Sequence, residues 1–499
     1  MIILQNSVLT CPTAIDLPSA FIAVLRESER DLRDLLDSKQ SSCEDFFDGI
    51  TLLQLAMGWP AGVRLLLKAR SGSSLPVLYH QNTHGITDSD NKIHGYFDSC
   101  NALLEAGYTI SPDDISRSSS NTLTFLFIHE LAKRRRELLA IAEAHFPSSE
   151  LSDLRKGETG IPDACATELC AALKTKGSKI DQTLMALETE SIYCHILAPN
   201  ILDKIYEAGF IDVDLPLKGG YTPLMARCGL YFYDKMNNSK HIGWLISKGA
   251  DPFRKLPGSN TTAFHMITAK LAEYIHWEYK SDSDFDPHVA LCHLHQIDMH
   301  LFSLTTIDEC SCSCSLVGCT PLSAAIRTVV DHLFVDNQQI TRVALGFRKF
   351  LEYLIDHNKS KLEVCHAMIR SLTFDGLRLS HTCCIELGYS RPWDYVRDES
   401  DLQEIREEQR IDLERFEKLV SEFDAQFDVM GLPLMDFLQK IWYERMIKFL
   451  SERDKYDAEH AKQTRELGIS LEVDEIQIPL VVQLICDQVR VVESDSEDS

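Results

Sequence analysis

The sequence reads as an all-α protein: a solenoid of short antiparallel helix pairs, interrupted by inserted loops and ended by a helical hairpin. Three observations predict this. Thr-Pro-Leu opens an apolar helix twice, at Thr222-Pro223-Leu224 and at Thr320-Pro321-Leu322. The apolar stretch Trp244-Leu245-Ile246 runs into Gly249-Ala250-Asp251, a helix followed by a glycine stop. From Arg391 the pattern changes to two long stretches with apolar residues three and four apart, broken at Gly431 and Pro433.

A Thr-Pro-Leu turn paired with a Gly-Ala-Asp end is the signature of an ankyrin repeat, one turn and two helices recurring at about 33 residues. An ideal repeat places about 21 residues between that Thr and that Gly. Here Thr222 and Gly249 are 27 apart, so about six residues, near 231–238, read as an insertion between the helices. The array is divergent. Met225 and Ser323 stand where the repeat usually carries His, and the weaker copy Thr262-Ala263-Phe264-His265 keeps it. A histidine there links turns through hydrogen bonds, so His265 is expected to be structural.

Along the chain, residues 18–37 read as one amphipathic helix through Phe21, Val24, Leu25, Leu32, Leu35 and Leu36. Residues 48–67 are a degenerate repeat, with Thr51 in the turn, Ala56 in the first helix, and Pro60 and Gly62 at the corner. Leu103-Leu104 leads into Gly107, a left-handed helix cap by its chemistry. Residues 111–121 are polar and read as a loop before a long helix over 122–145. That helix carries Lys133-Arg134-Arg135-Arg136. With Glu130 and Glu137 on either side, the run reads as a solvated face rather than a nuclear-import patch. Gly and Pro residues in and beside 148–161 place a first domain boundary there. Helical patterns follow at 163–174, 181–188 and 198–208. Repeats then start at Thr222, Thr262 and Thr320, the last with its second helix at 350–357. The stretches 401–427 and 434–467 form an antiparallel hairpin, read as covering the last repeat. Residues 472–492 have mixed character and 493–499 are an acidic tail. The domains are therefore 1–115 with degenerate repeats, 116–160 as long helix and linker, 161–390 as the central array, and 391–499 as hairpin and tail.

With 499 residues the chain is too long for one compact core. Its 44% hydrophobic content and mean hydropathy of -0.13 describe an ordinary globular protein. The 75 acidic against 50 basic residues leave a net charge of -25. Such a surface repels phosphate backbones, which argues against nucleic-acid and anionic-membrane binding and favours a basic protein partner. The longest apolar run, 478–486, falls short of the roughly 20 residues of a spanning helix. The N-terminus lacks the basic and apolar regions of a secretory signal, so an intracellular protein, cytoplasmic or nuclear, is expected. There is no Gly-x-Ser-x-Gly elbow, phosphate-cradling Gly-rich loop or His-Glu-x-x-His, and the chain reads as non-enzymatic. A solenoid of this kind binds a protein segment along its concave face. Tyr221, Arg227, Tyr231 and Tyr233, at the hairpin tip and first helix of the best-preserved repeat, are its candidate contacts.

Most of the sixteen cysteines, such as Cys11, Cys43, Cys100, Cys165, Cys228 and Cys365, sit singly in helical patterns as small apolar groups. One set is different: Cys310, Cys312, Cys314 and Cys319 lie within ten residues, separated by Ser and Gly. Four thiolates on a bendable loop can converge on Zn²⁺, which binds sulfur at about 2.3 Å. His381, Cys383 and Cys384 would complete such a site from a neighbouring element. The alternative is a reduced or redox-sensitive loop, since the spacing is not the paired Cys-x-x-Cys of familiar zinc modules. A second group, His288, Cys292, His293, His295 and His300, alternates with Leu291, Leu294, Ile297 and Leu301. It reads as ordinary packed and solvated helix histidines.

Several local pieces occur together in order: Trp59-Pro60 before a Leu-rich helix, the basic run 133–136, and Ile205-Tyr206-Glu207-Ala208-Gly209-Phe210. They continue with Gly220-Tyr221-Thr222-Pro223-Leu224, Trp244 to Asp251, the cysteine run before Thr320, and His381-Thr382-Cys383-Cys384. In these the chain resembles a group of uncharacterised filamentous-fungal proteins with divergent ankyrin repeats, over roughly residues 20–390. The resemblance implies the repeat architecture and carries no biochemical activity with it.

Overall fold

The computed structural model describes residues 17–42, 45–69, 90–118, 120–186, 190–195, 197–217, 220–229, 235–256, 261–270, 272, 307–308, 312–316, 318–335, 351–352, 355–356, 361–382 and 399–453. They are mostly helical, with one two-stranded ribbon pairing Phe46–Phe47 with Ile50–Thr51. The chain divides into two compact units, Met1–Lys218 and Gly219–Ser499.

In the first unit, the stretch read as one helix over 18–37 is two, Ser19–Leu25 and Glu29–Asp37. Glu27 turns the chain with φ 52, and the Ser28 side chain accepts from the backbone of Asp31, starting a new helix in place of continuing the old one. Thr51 and Gln54 form a reciprocal capping box at the next helix, with Gln54 N donating to Thr51 Oγ1 at 3.1 Å and Gln54 Oε1 accepting from Thr51 N at 2.8 Å. Pro60 begins the helix Pro60–Lys68, where its missing N–H costs nothing. Helix Asp90–Glu105 ends in Gly107 at φ 92, a conformation in which a side chain would clash with the backbone. Residues 112–116, expected to be loop, are a short helix, because Ser111 and Asp114 make a second capping box.

The long helix is Asn121–His145 and packs against Ala166–Thr175 through Leu138, Ala142, Leu169 and Leu173, all fully buried. Its basic run is a solvated face only in part: Lys133 and Arg136 are exposed, the middle pair is not. Arg134 and Arg135 are 5% and 6% exposed. Arg134 donates to the carbonyls of Leu104, Tyr108 and Thr183 and pairs with Glu130 at 3.0 Å. Arg136 donates to the carbonyl of Ala208. Those of Leu104, Tyr108 and Ala208 lie at or just past the ends of helices Asp90–Glu105 and Pro199–Glu207, where the helix dipole concentrates negative charge, and that of Thr183 lies in the turn Gln182–Leu184. The run therefore staples neighbouring helix ends.

The expected boundary at 148–161 is also structured. Ser148–Arg155 is helical, and buried Glu158 accepts from the N–H groups of Asp163 and Cys165 before helix Ala166–Thr175. Asp212 accepts from Thr159 and Gly160. This polar stretch spends its donors and acceptors on cross-links, and the two compact units divide at 218/219.

In the second unit three threonine turns open helical segments, two of them through the threonine hydroxyl as a cap and one through a histidine ring. Thr222 Oγ1 accepts from Met225 N at 3.3 Å ahead of helix Pro223–Gly229. Thr320 Oγ1 accepts from Ser323 N at 3.1 Å ahead of Pro321–Val335. Between them, His265 Nδ1 meets Thr262 Oγ1 at 2.9 Å, and His265 Nε2 meets the carbonyl of Cys319 at 3.0 Å. One imidazole thus joins two successive turns. Gly249 follows helix Lys235–Ser247 with φ 102.

Helix Lys361–Gly376 lies under the C-terminal pair. Arg410–Met430 closes at left-handed Gly431, and Leu434–Phe437 continues through a π-turn at Leu438–Trp442 to residue 453. The partners run in opposite order: Phe427 meets Phe437, Phe423 meets Trp442, and Glu422 holds Arg445 at 2.9 Å, so the two helices are antiparallel. The pair covers Lys361–Gly376: Phe416 packs edge-on against Phe374, and Trp442 Nε1 donates to Thr373 Oγ1 at 2.9 Å. The 231–238 insertion before residue 235, the histidine group 288–300, the helix expected at 350–357 in its middle and end, and the stretch beyond 453 lie outside the described residues. Among the described residues no helix is long and apolar enough to cross a membrane.

Candidate metal centre

Cys312 and Cys314 sit on the turn 312–316, Cys319 directly precedes the Thr320 cap, and His381 follows helix Lys361–Gly376 after a left-handed turn at Arg378. The three thiols are 2%, 3% and 6% exposed. The donor atoms of Cys312, Cys314 and His381 all lie within 4.8 Å of one another, so this set can hold a metal ion. Cys312 Sγ is 3.9 Å from His381 Nδ1, and Cys314 Sγ is 3.7 Å from Cys319 Sγ. In a tetrahedral zinc site with bonds of about 2.0–2.3 Å, neighbouring donors stand roughly 3.4–3.8 Å apart. The pairs are near that edge length, and the widest separation is about an ångström beyond it.

Side chains around the donors orient them. Asp375 Oδ1 accepts from His381 Nε2 at 2.7 Å, which points the other ring nitrogen, Nδ1, at Cys312. A carboxylate behind a ligating histidine fixes its tautomer and raises its basicity. Burial disfavours the charged imidazole, but the Asp375 carboxylate and the hydrogen bonds to Asp375 and Cys312 outweigh it and lift His381 to about 9. A metal would take the place of that proton. The ring also packs 4.7 Å from Phe374. Arg370, 5% exposed, donates from Nε to the carbonyl of Ser313 at 2.9 Å, pairs with Glu417 on the hairpin, and stacks over Phe416. On the far side Asp308 Oδ1 accepts from Cys319 N at 2.7 Å, and Asp308 N donates to the Cys319 carbonyl. The cysteine turn is therefore held from three directions.

No family model matches the chain, and neither does any curated protein.

Of the residues singled out in the sequence, the structure brings Cys312, Cys314 and His381 together and sets Cys319 beside Cys314. Cys310, Cys383 and Cys384 lie outside the described residues, as do Tyr231 and Tyr233. Tyr221 is half-buried beside the Thr222 turn. Arg227 is a correction: at 1% exposure it faces the core, not a partner. It lies beside buried His241, whose imidazole is held well below its usual value by burial and then by the Arg227 charge. Asp375, Arg370 and Asp308 were not legible beforehand. The one signal for Asp375 was a carboxylate at a helix end six residues before a candidate ligand. Among the solitary cysteines, Cys100, Cys228 and Cys365 are buried small groups, whereas Cys165 Sγ donates to Glu158 Oε2 at 2.8 Å. Burial pushes Cys100 and Cys228 to about 12 and Cys365 to about 11, so they remain thiols near neutral pH. Cys11 and Cys43 lie outside the described residues.

Proposed function

We propose that the chain is a non-enzymatic protein-interaction scaffold of divergent ankyrin type, related to the fungal group it resembles, that engages a basic protein segment. The observation that carries this reading is His265, which hydrogen-bonds Thr262 in its own turn and the Cys319 carbonyl in the next. Stacked repeats need such links, because no single helix pair can bury its apolar face alone. The net charge of -25 favours the basic partner. Tyr221 remains its candidate contact among the described residues. Affinity capture with the full chain tests this. Basic proteins recovered at low salt, lost at raised salt, and lost on Tyr221→Asp support it; recovery indifferent to both counts against it.

A second reading attaches to the same unit, favoured by the three converging donors. Zn²⁺ on Cys312, Cys314 and His381 clips the cysteine turn to the end of helix Lys361–Gly376, making the scaffold metal-dependent. Sulfur-rich, buried donors select zinc over hard cations such as Mg²⁺ or Ca²⁺. Elemental analysis of reduced, purified protein decides it. One zinc per chain, lost on His381→Ala, is expected; zinc-free wild-type protein that takes up none on addition excludes it.

A further inference from the structure

Resting on that zinc reading, we propose that Cys319 is the fourth ligand, closing a Cys₃His site with no open coordination position. Its Sγ stands 3.7 Å from Cys314 Sγ, the edge length of a tetrahedral thiolate pair. The Cys319 backbone is locked on both sides, its N–H to Asp308 and its carbonyl to His265 and to Asp308 N, so its side chain has a defined direction. At 6% exposure the thiol is screened from bulk water, which leaves little room for a water ligand on that side. On binding, the three thiols and the His381 Nδ1 release their protons to solvent, and the imidazole binds through Nδ1 while Nε2–H keeps its hydrogen bond to Asp375.

The closed set has two consequences. A metal with four protein ligands and no exchangeable water is structural, not catalytic. It also ties the metal to the repeat array, because Cys319 is the residue whose carbonyl accepts from His265. Occupancy would then hold the Thr262 and Thr320 turns in register through a single residue, whereas three ligands without Cys319 would clip only the cysteine turn to His381.

Cobalt substitution in the full chain under reducing conditions tests this, with X-ray absorption of the zinc-loaded wild type as a measurement independent of any variant. Three sulfurs and one nitrogen around zinc are expected; two sulfurs overturn the proposal. Cys319→Ser is expected to lower the sulfur-to-cobalt charge-transfer intensity by about one third, as for one thiolate of three. Cys310→Ser should leave it unchanged. Full intensity in Cys319→Ser, or a loss in Cys310→Ser instead, overturns the assignment. A Cys319→Ser chain that fails to fold leaves Cys319→His to decide, which should bind cobalt tetrahedrally with the same reduced charge-transfer intensity. Wild-type protein that binds neither metal refutes the underlying zinc reading and is recognised as such.

Discussion

Asp163 is half-buried, and its carboxylate accepts from Ser191 Oγ at 2.6 Å and from Ile192 N. Burial raises it to about 7; the Ser191 hydrogen bond opposes this, Glu158 adds to it, and Arg135 and the Ile192 N–H oppose it again. A carboxyl raised on folding binds more protons in the native state than in the unfolded one. Its contribution to stability is therefore full below about pH 4 and is lost as pH rises towards 7. Asp163→Asn keeps an acceptor and removes the charge. The melting temperature of the variant relative to wild type should climb across that window and then level off; parallel pH profiles would refute the reading. Asp375 acts through His381. If the zinc reading holds, Asp375→Asn should weaken zinc binding about 10- to 100-fold, measured by competition with a chelator. An unchanged affinity would remove Asp375 from the site.

Helix ends carry much of the first unit's order. Arg134 serves the ends of two segments with one guanidinium, so Arg134→Met keeps the buried stem and strips the donors from several carbonyls. A loss of about 2–3 kcal/mol is expected in denaturant unfolding, since buried carbonyls would be left unsatisfied. A loss under about 0.5 kcal/mol would instead fit the solvated face read from the sequence. In the second unit the antiparallel pair is held on helix Lys361–Gly376 by one buried indole hydrogen bond and by Arg370. Glu417 is half-exposed, so solvent screening weakens its pairing, and the bond from Arg370 to Ser313 matters more for the cysteine turn. Helical periodicity alone specifies this pair, because apolar stripes and a Gly-x-Pro break are local features: Phe416, Val420, Phe423 and Phe427 are all buried. The break after Leu25 was missed. The apolar spacing runs through it, and a serine cap competes with helix continuation only once the chain has already turned.

The two compact units should unfold as separable transitions in calorimetry of the full chain. With zinc at 100- to 1,000-fold over its dissociation constant, the transition of the second unit should gain about 3–4 kcal/mol, and chelation should remove it. The transition of residues 1–218 should not move. Equal shifts in both transitions, or in neither, would contradict a clip confined to the second unit.

Caps, glycine stops and apolar stripes depend on residues three or four apart, so Thr51, Gly107, Thr222, Thr320 and the C-terminal pair could be read directly from the order of residues. The cysteine run could be recognised as donors in the same way. Which donors meet could not: Cys312 and His381 are 69 residues apart, and their approach depends on how helices Pro321–Val335 and Lys361–Gly376 pack. The same holds for Arg134, Arg135 and Arg227, whose charges marked them as surface groups. Side-chain charge is a property of the residue, but burial is a property of what packs over it, and for Arg134 it is carbonyls from distant segments that keep the charge inside.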